Sequence, residues 1–234
     1  MGYRPPTRPD PILIGPDAHQ HSVVLTGDRI SWFGSGAAPR YPRTVHLAGR
    51  RGLLVLPRIH IFEARQFVPL PTLPHDVGAC LLVGTLPELL RATASLHGVG
   101  RVSFPRIIAL LRADNPIDPL DLSELCSLFL RDDRHRLGWL LDPSTSSECL
   151  TQALASGFPI VTSAEITVES LDRSILRRFF GRPSEFSPGS LGDVLLKDPS
   201  SDTVIHSVIA GRLLLRDAQH VGPRRNRDTL TDPH

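Results

Sequence analysis

Lysine is almost missing from this chain. Lys197 stands alone, and arginine supplies the rest of the 26 basic side chains. That bias reads as a property of the coding sequence rather than of a function. Cysteine is scarce too. Cys80, Cys126 and Cys149 lie far apart, which excludes a zinc motif or a disulfide framework and leaves buried thiols in a reducing compartment. No apolar run is long enough to span a bilayer. The segment Met1–Asp10 is rich in proline and arginine and does not resemble a signal peptide. A cytoplasmic protein without membrane association is therefore expected. The net charge of +2 is too small to argue for nucleic acid. A P-loop, a G-x-G-x-x-G and a serine in a nucleophile-elbow context are all absent.

What is present is ordinary globular material: 234 residues, 41% hydrophobic and 21% charged, enough for a sizeable core. The organising stretch runs from Gly49 to Arg65. Leu53 to Leu56 is a short apolar run between Gly52 and Pro57, which reads as a buried strand. After Pro57 the chain is apolar again and then breaks into Glu63 and Arg65. In α/β proteins, chemistry sits at the ends of such strands.

Before this stretch the sequence reads as a small β unit. Val23–Leu25 and Ile30–Phe33 are strand-like and are joined across Gly27-Asp28, a hairpin signal. After about residue 76, apolar strands alternate with helical segments. Helices are expected at Pro87–Ser95, Asp118–Arg131, Ser146–Ser156 and Thr167–Phe180, the last two ended by Gly157 and Gly181. Strands are expected at Ala79–Val83, Val102–Leu111, Leu137–Leu141 and Phe158–Thr162. Alternation of this kind argues for a parallel sheet of βα units. Strand character returns after Pro188, at Asp193–Leu196, Val204–Ile209 and Leu213–Leu215. Residues 1–10 and 218–234 are expected to be disordered.

Two β segments flanking a βα region resemble the composite domain of the amidohydrolase superfamily. The residues that carry the resemblance are Thr26–Gly34 and Val45–Arg50 with Leu53–Pro57 at the front, and Pro188–Leu196 with Val208–Leu213 at the back. The resemblance implies an α/β fold with a small β domain: a shortened or incomplete (β/α) barrel, residues 58–187, inserted into a composite β-sandwich formed by residues 11–57 and 188–217. Strand candidates number about five, where a complete barrel has eight strands and takes about 250 residues.

In the family, the first barrel strand ends in Pro-Gly and then a His-x-His pair that holds a divalent metal. Here Arg58 follows Pro57, and the pair falls on Glu63 and Arg65. The aspartate ending the last barrel strand falls on Ala164. The carboxylated lysine that bridges two metals in some members has no counterpart, since Lys197 lies in the small-domain segment. His97 and His135 both precede their strands. Arginine has no lone pair to give a cation. The resemblance with these departures implies a non-catalytic homologue, a pseudoenzyme acting as scaffold or regulatory partner, with no cofactor. Its partner would be a full-length amidohydrolase-type enzyme or a second copy. The alternative is a metal-dependent hydrolase of cyclic amides or other C–N bonds, holding zinc on rearranged ligands: His60, Glu63, Asp142 and Glu165.

Each candidate also has a structural reading. Glu63 and Arg65 read as a surface ion pair. His60, between Ile59 and Ile61, reads as a packed residue. Asp142 with Pro143 reads as a turn and Glu165 as a helix start. His19-Gln20-His21 has metal-ligand spacing but no third ligand nearby. Arg173, Arg177, Arg178 and Arg182 form either a phosphate site or a solvated helix face.

Overall fold

The computed structural model describes residues 10–41, 43–48, 52–67, 74–98, 106–132, 134–166, 173–216 and 219–220. The expected disordered segments lie outside these residues, apart from Asp10 and the pair Gln219–His220.

The front of the chain forms β1 (Ile12–Ile14), β2 (Ser22–Thr26), β3 (Arg29–Gly34) and β4 (Val45–Leu47), ordered β3-β2-β1-β4 in one sheet. The β2–β3 hairpin turns where the sequence asks it to, with Gly27 at φ 59°. Next come β5 (Leu53–Val55) and β6 (Arg58–Glu63), then β7 (Val77–Gly84), α1 (Leu86–Gly98), β8 (Arg106–Arg112), α2 (Pro119–Phe129), β9 (His135–Leu141), α3 (Ser147–Ser156) and β10 (Ile160–Thr162). After them lie α4 (Ser174–Phe180), β11 (Val194–Lys197), β12 (Val204–Ile209), β13 (Arg212–Arg216) and β14 (Gln219–His220).

The stretch from Gly52 to Glu63 serves two sheets. β5 pairs antiparallel with β11, in a sheet ordered β14-β13-β12-β11-β5. It therefore does not run on into the parallel sheet, which starts at Arg58. Leu56-Pro57 is the break. The Pro57 ring lies so close to Gly78 that a Cβ there would sit 2.4 Å from it, and proline offers no N–H to extend a ladder.

β6 to β10 form a five-stranded parallel sheet in sequential order, the arrangement of one part of a (β/α) barrel. The expected number of strands is met, and β6 and β10 are its two ends. Both faces are buried, so the central strands are nearly all apolar. Alternate residues feed two cores. Ile107, Ala109, Leu111, Leu137 and Trp139 face α1, α2 and α3. Leu81, Val83, Ile108, Leu110, Leu140 and Val161 face the opposite way, against Ile175, Leu176 and Phe179 of α4. Helix α4 thus covers the face that would line a barrel's interior. Gly138 permits this approach: a Cβ there would meet the Phe179 ring at 2.6 Å and the Pro159 carbonyl oxygen at 2.7 Å.

Capping follows the sequence. Ser146 accepts from the Cys149 N–H at the start of α3, and Gly157 ends it in the left-handed region at φ 70°. Asp118 caps α2 by accepting from the Leu120 N–H. Of the expected helix Thr167–Phe180, the described part is Ser174–Phe180.

A third core draws on both chain ends. Ile14, Val23, Leu25 and Ile30 of the first sheet pack with Val194, Leu196 and Val208 of the last. Backbone hydrogen bonds join the same regions. Ile30 N–H donates to the Ser190 carbonyl at 3.0 Å and Gly192 N–H to that of Asp28 at 2.7 Å. Gln219–His220 pair with Leu215–Arg216, so strand structure extends into the expected tail.

Candidate functional site

In parallel βα sheets the site belongs at the C-terminal ends of the strands. Glu63 ends β6 and Arg112 ends β8, and the Arg112 Nη2 lies 3.7 Å from the Glu63 Oε1. Both side chains are about one-third exposed. The expected Glu63–Arg65 pair is therefore replaced by Glu63–Arg112. Arg65 lies beyond the strand, in the 3-10 turn Ala64–Phe67, and Ala64 between them is buried. A Cβ on Gly84 would meet that of Ala64 at 2.7 Å, so the end of β7 packs directly on this turn. Glu63 and Arg65 consequently do not share one strand face as two metal-binding histidines would.

Glu88 completes the cluster. Its carboxylate accepts from the Thr85 N–H at 2.9 Å, and this bond first, with Arg65 and Arg112 nearby, holds its pKa below the usual carboxylate range. Two carboxylates and two guanidiniums thus balance one another at the mouth of the sheet. The Arg112 Nε is buried without a hydrogen-bond partner among the described residues. Thr85-Leu86-Pro87-Glu88 is a capping-box pattern, so Glu88 was readable from sequence. Arg112 left only a weak signal, a charge closing an apolar run.

The other candidates lie apart from this cluster. His60 is on β6, half-buried, with its ring 4.3 Å from that of Phe62. Asp142 opens a turn closed by Thr145, whose hydroxyl accepts from the Asp142 N–H at 2.9 Å. Glu165 accepts from Arg178 at 2.7 Å and from the Thr162 N–H at 2.8 Å, and those bonds, the Arg178 one first, pull its pKa from 4.5 to about 2. Ala164 is exposed in the 3-10 turn Ser163–Glu165 and has no donor atom. Among the described residues, no three His, Cys, Asp or Glu side chains gather as a metal-ion ligand set. A divalent metal of the kind the resemblance implies does not fit this donor set: the Glu63 carboxylate already faces the Arg112 guanidinium, Arg65 brings a second guanidinium, and Ala164, beyond β10 at the other edge of the sheet, offers only a methyl group.

The remaining sequence candidates have structural partners. His19 and His21 donate their backbone N–H groups to Asp17, each at 2.9 Å, and the His21 ring stacks on Phe33. Of the arginines at α4, Arg178 pairs with Glu165, Arg182 with Asp28, and Arg173 donates to Ser184 and to the Leu56 carbonyl. His135 starts β9 and is buried, with Nδ1 3.1 Å from the Phe129 carbonyl oxygen. His97 lies in α1, upstream of β8.

At the opposite end of the sheet lies a feature the sequence did not announce. Arg106, at the start of β8, makes a two-pronged contact with Asp193 at 2.7 and 3.2 Å, and both side chains are at most 3% exposed. Asp193 also accepts from the Ala210 N–H at 2.7 Å. The guanidiniums of Arg106 and Arg136 both lie over the Phe180 ring, at 5.0 and 4.9 Å from its centre. This polar knot ties the parallel sheet to the β11–β12 sheet. In barrel-type folds this end serves stability rather than chemistry.

The sequence matches no protein-family model and no curated protein. Solved structures are informative. An amidohydrolase from an environmental sample of the Sargasso Sea aligns over 91% of this chain and 94% of its own, with a TM-score of 0.59 at 10% identity. N-isopropylammelide isopropylaminohydrolase from Burkholderia multivorans aligns over 91% of this chain and 100% of its own, with a TM-score of 0.48 at 12% identity. The β-aspartyl dipeptidase of Fervidobacterium islandicum gives 0.46 at 9% identity, over 93% of this chain and 100% of its own. The first of these carries the conclusion: the fold is amidohydrolase-like. Among the described residues, no helix is long and apolar enough to cross a membrane.

Proposed function

We propose that this chain is an amidohydrolase-like pseudoenzyme that works without a catalytic metal, as a scaffold or regulatory partner. The observation that carries this reading is the Glu63–Arg112 pair at the strand ends, with Arg65 and Ala164 at the other family positions. A guanidinium at such a mouth can hold a carboxylate, but it can neither bind a cation nor take a proton from water. The shortened barrel and the composite small domain formed by both chain ends belong to this proposal. So does the partner, a full-length amidohydrolase-type enzyme or a second copy.

Elemental analysis of the purified protein tests it. The expected result is less than stoichiometric zinc, iron or manganese, and a melting temperature unchanged by a chelator. A stoichiometric divalent ion that is lost together with a C–N hydrolase activity would overturn it.

A further inference from the structure

Glu63 and Arg112 form an ion pair that does not close. Their nearest atoms stand 3.7 Å apart, beyond hydrogen-bond reach. Elsewhere in the protein Arg58, Arg106, Arg178 and Arg182 meet their carboxylates at 2.7 to 3.0 Å. Burial sharpens the contrast. Of the buried or half-buried arginines among the described residues, Arg106, Arg134, Arg136, Arg173 and Arg182 each donate a hydrogen bond. Arg112 is the sixth, and among the described residues its guanidinium donates none, although its Nε is buried. The Glu63 carboxylate has the loose Arg112 contact as its one polar partner among the same residues.

A guanidinium carries five donors and a carboxylate accepts at both oxygens. Leaving such groups half out of water and unpaired is costly. Here a donor set and an acceptor set stand side by side, unfilled, at the C-terminal ends of β6 and β8. That is the end of a parallel sheet where α/β folds take their ligands. The surroundings select the ligand's charge. Glu63 at 3.7 Å and Glu88 nearby make Arg112 a poor site for a simple anion. Arg112 in turn makes Glu63 a poor site for a simple cation. The Glu88 carboxylate is engaged by the Thr85 N–H and is not the open acceptor. What fits the gap is a small molecule with both charges close together, and an α-amino acid carries its carboxylate and its ammonium on one carbon atom.

We infer that the Glu63–Arg112 gap binds a free α-amino acid, its carboxylate on Arg112 and its ammonium on Glu63. The inference deepens the regulatory reading and rests on it. A chain without a catalytic metal would then sense a small effector at the strand ends instead of turning over a substrate there.

The test follows the Arg112 Nε–H resonance of the isotope-labelled full chain, identified by its loss in Arg112→Lys. Each common L-α-amino acid is titrated in turn, with a chelator present throughout. At least one is expected to move that resonance in a saturable way. Two analogues of the best binder serve as controls, the amine that lacks its carboxylate and the acid that lacks its ammonium. Each is expected to bind at least about tenfold more weakly, as are Glu63→Gln and Arg112→Gln toward the amino acid itself, a loss of about 1.4 kcal/mol. Asp202→Asn, in the exposed turn between β11 and β12, should leave binding unchanged. Amide spectra that match the parent chain away from β6 and β8 verify that the variants fold.

No response to any amino acid overturns the inference and leaves water to fill the gap. Equal binding of either analogue, or affinity indifferent to both site variants, also overturns it. So does binding that appears only when the chelator is omitted, which would put a metal between ligand and protein. An amino acid bound in chelator by a chain that also holds a stoichiometric metal would strike the metal-free reading alone, so the two proposals fall separately.

Discussion

Arg106 and Asp193 meet out of water, between two sheets, where each is the other's ionic partner and the Ala210 N–H is a second donor to Asp193. Removing one strands the other: Arg106→Ala or Asp193→Ala is expected to cost about 3–5 kcal/mol, read as a shift in the denaturant midpoint. Nothing in the local sequence foretold this pair. Arg106 merely precedes an apolar strand and Asp193 another, and only the fold brings them within 2.7 Å. Glu165 is the reverse case. Its place at the start of a turn was legible, and its partner Arg178 was not. With a folded pKa of about 2 against an ordinary 4.5, its contribution is present above the unfolded value and fades as pH falls through the folded one. Arg178→Ala should therefore raise the Glu165 titration midpoint, followed by its side-chain resonances. Thiol chemistry gives a further residue-level expectation. Burial pushes the Cys80 thiol up to about 12 and Cys149 is fully buried, so Cys126 should react first with a thiol reagent, and the other two only on unfolding.

Helix α4 is short, yet it supplies three of the buried side chains that cover one face of the parallel sheet. Of its three buried anchors, Phe179 packs on Gly138 of β9, which leaves no room for a methyl group. Gly138→Ala should cost about 1–3 kcal/mol by overpacking, and Phe179→Ala about 3–5 kcal/mol by the cavity it opens. Thermal unfolding of both variants checks the order of the two effects. Periodicity found the apolar residues of α4 but not the face they cover, because helical spacing says which side is buried and is silent about what lies beneath it. The strands of the parallel sheet were legible for a simple reason: Val77–Gly84 and Arg106–Arg112 are buried on both faces, so their sequences are continuous apolar runs. Leu53–Leu56 was legible as a strand ended by Pro57, but the sheet it joins was not, because its partner Val194–Lys197 lies far along the chain. The proline is where the chain changes sheets.

For the molecule as a whole, the amidohydrolase-like architecture was visible in the order of its segments, while its site was visible only as substitutions. The resemblance reads Glu63 and Arg65 as standing where histidines would. It cannot say that Arg112 and Glu88 have moved in to balance them, because those residues come from other strand ends and other loops. The expected metal content and indifference to chelators belong at this scale, since they ask whether the fold holds any ion at all.

The pairing of β5 with β11 has a consequence for how the protein is made. On the ribosome, Leu53–Val55 emerges well before Val194–Lys197, with which it pairs. The βα array has time to form first, while β5 waits with a bare edge until its neighbour arrives. A nascent chain stalled before residue 194 would carry that edge exposed, a ready seed for association between ribosome-bound chains.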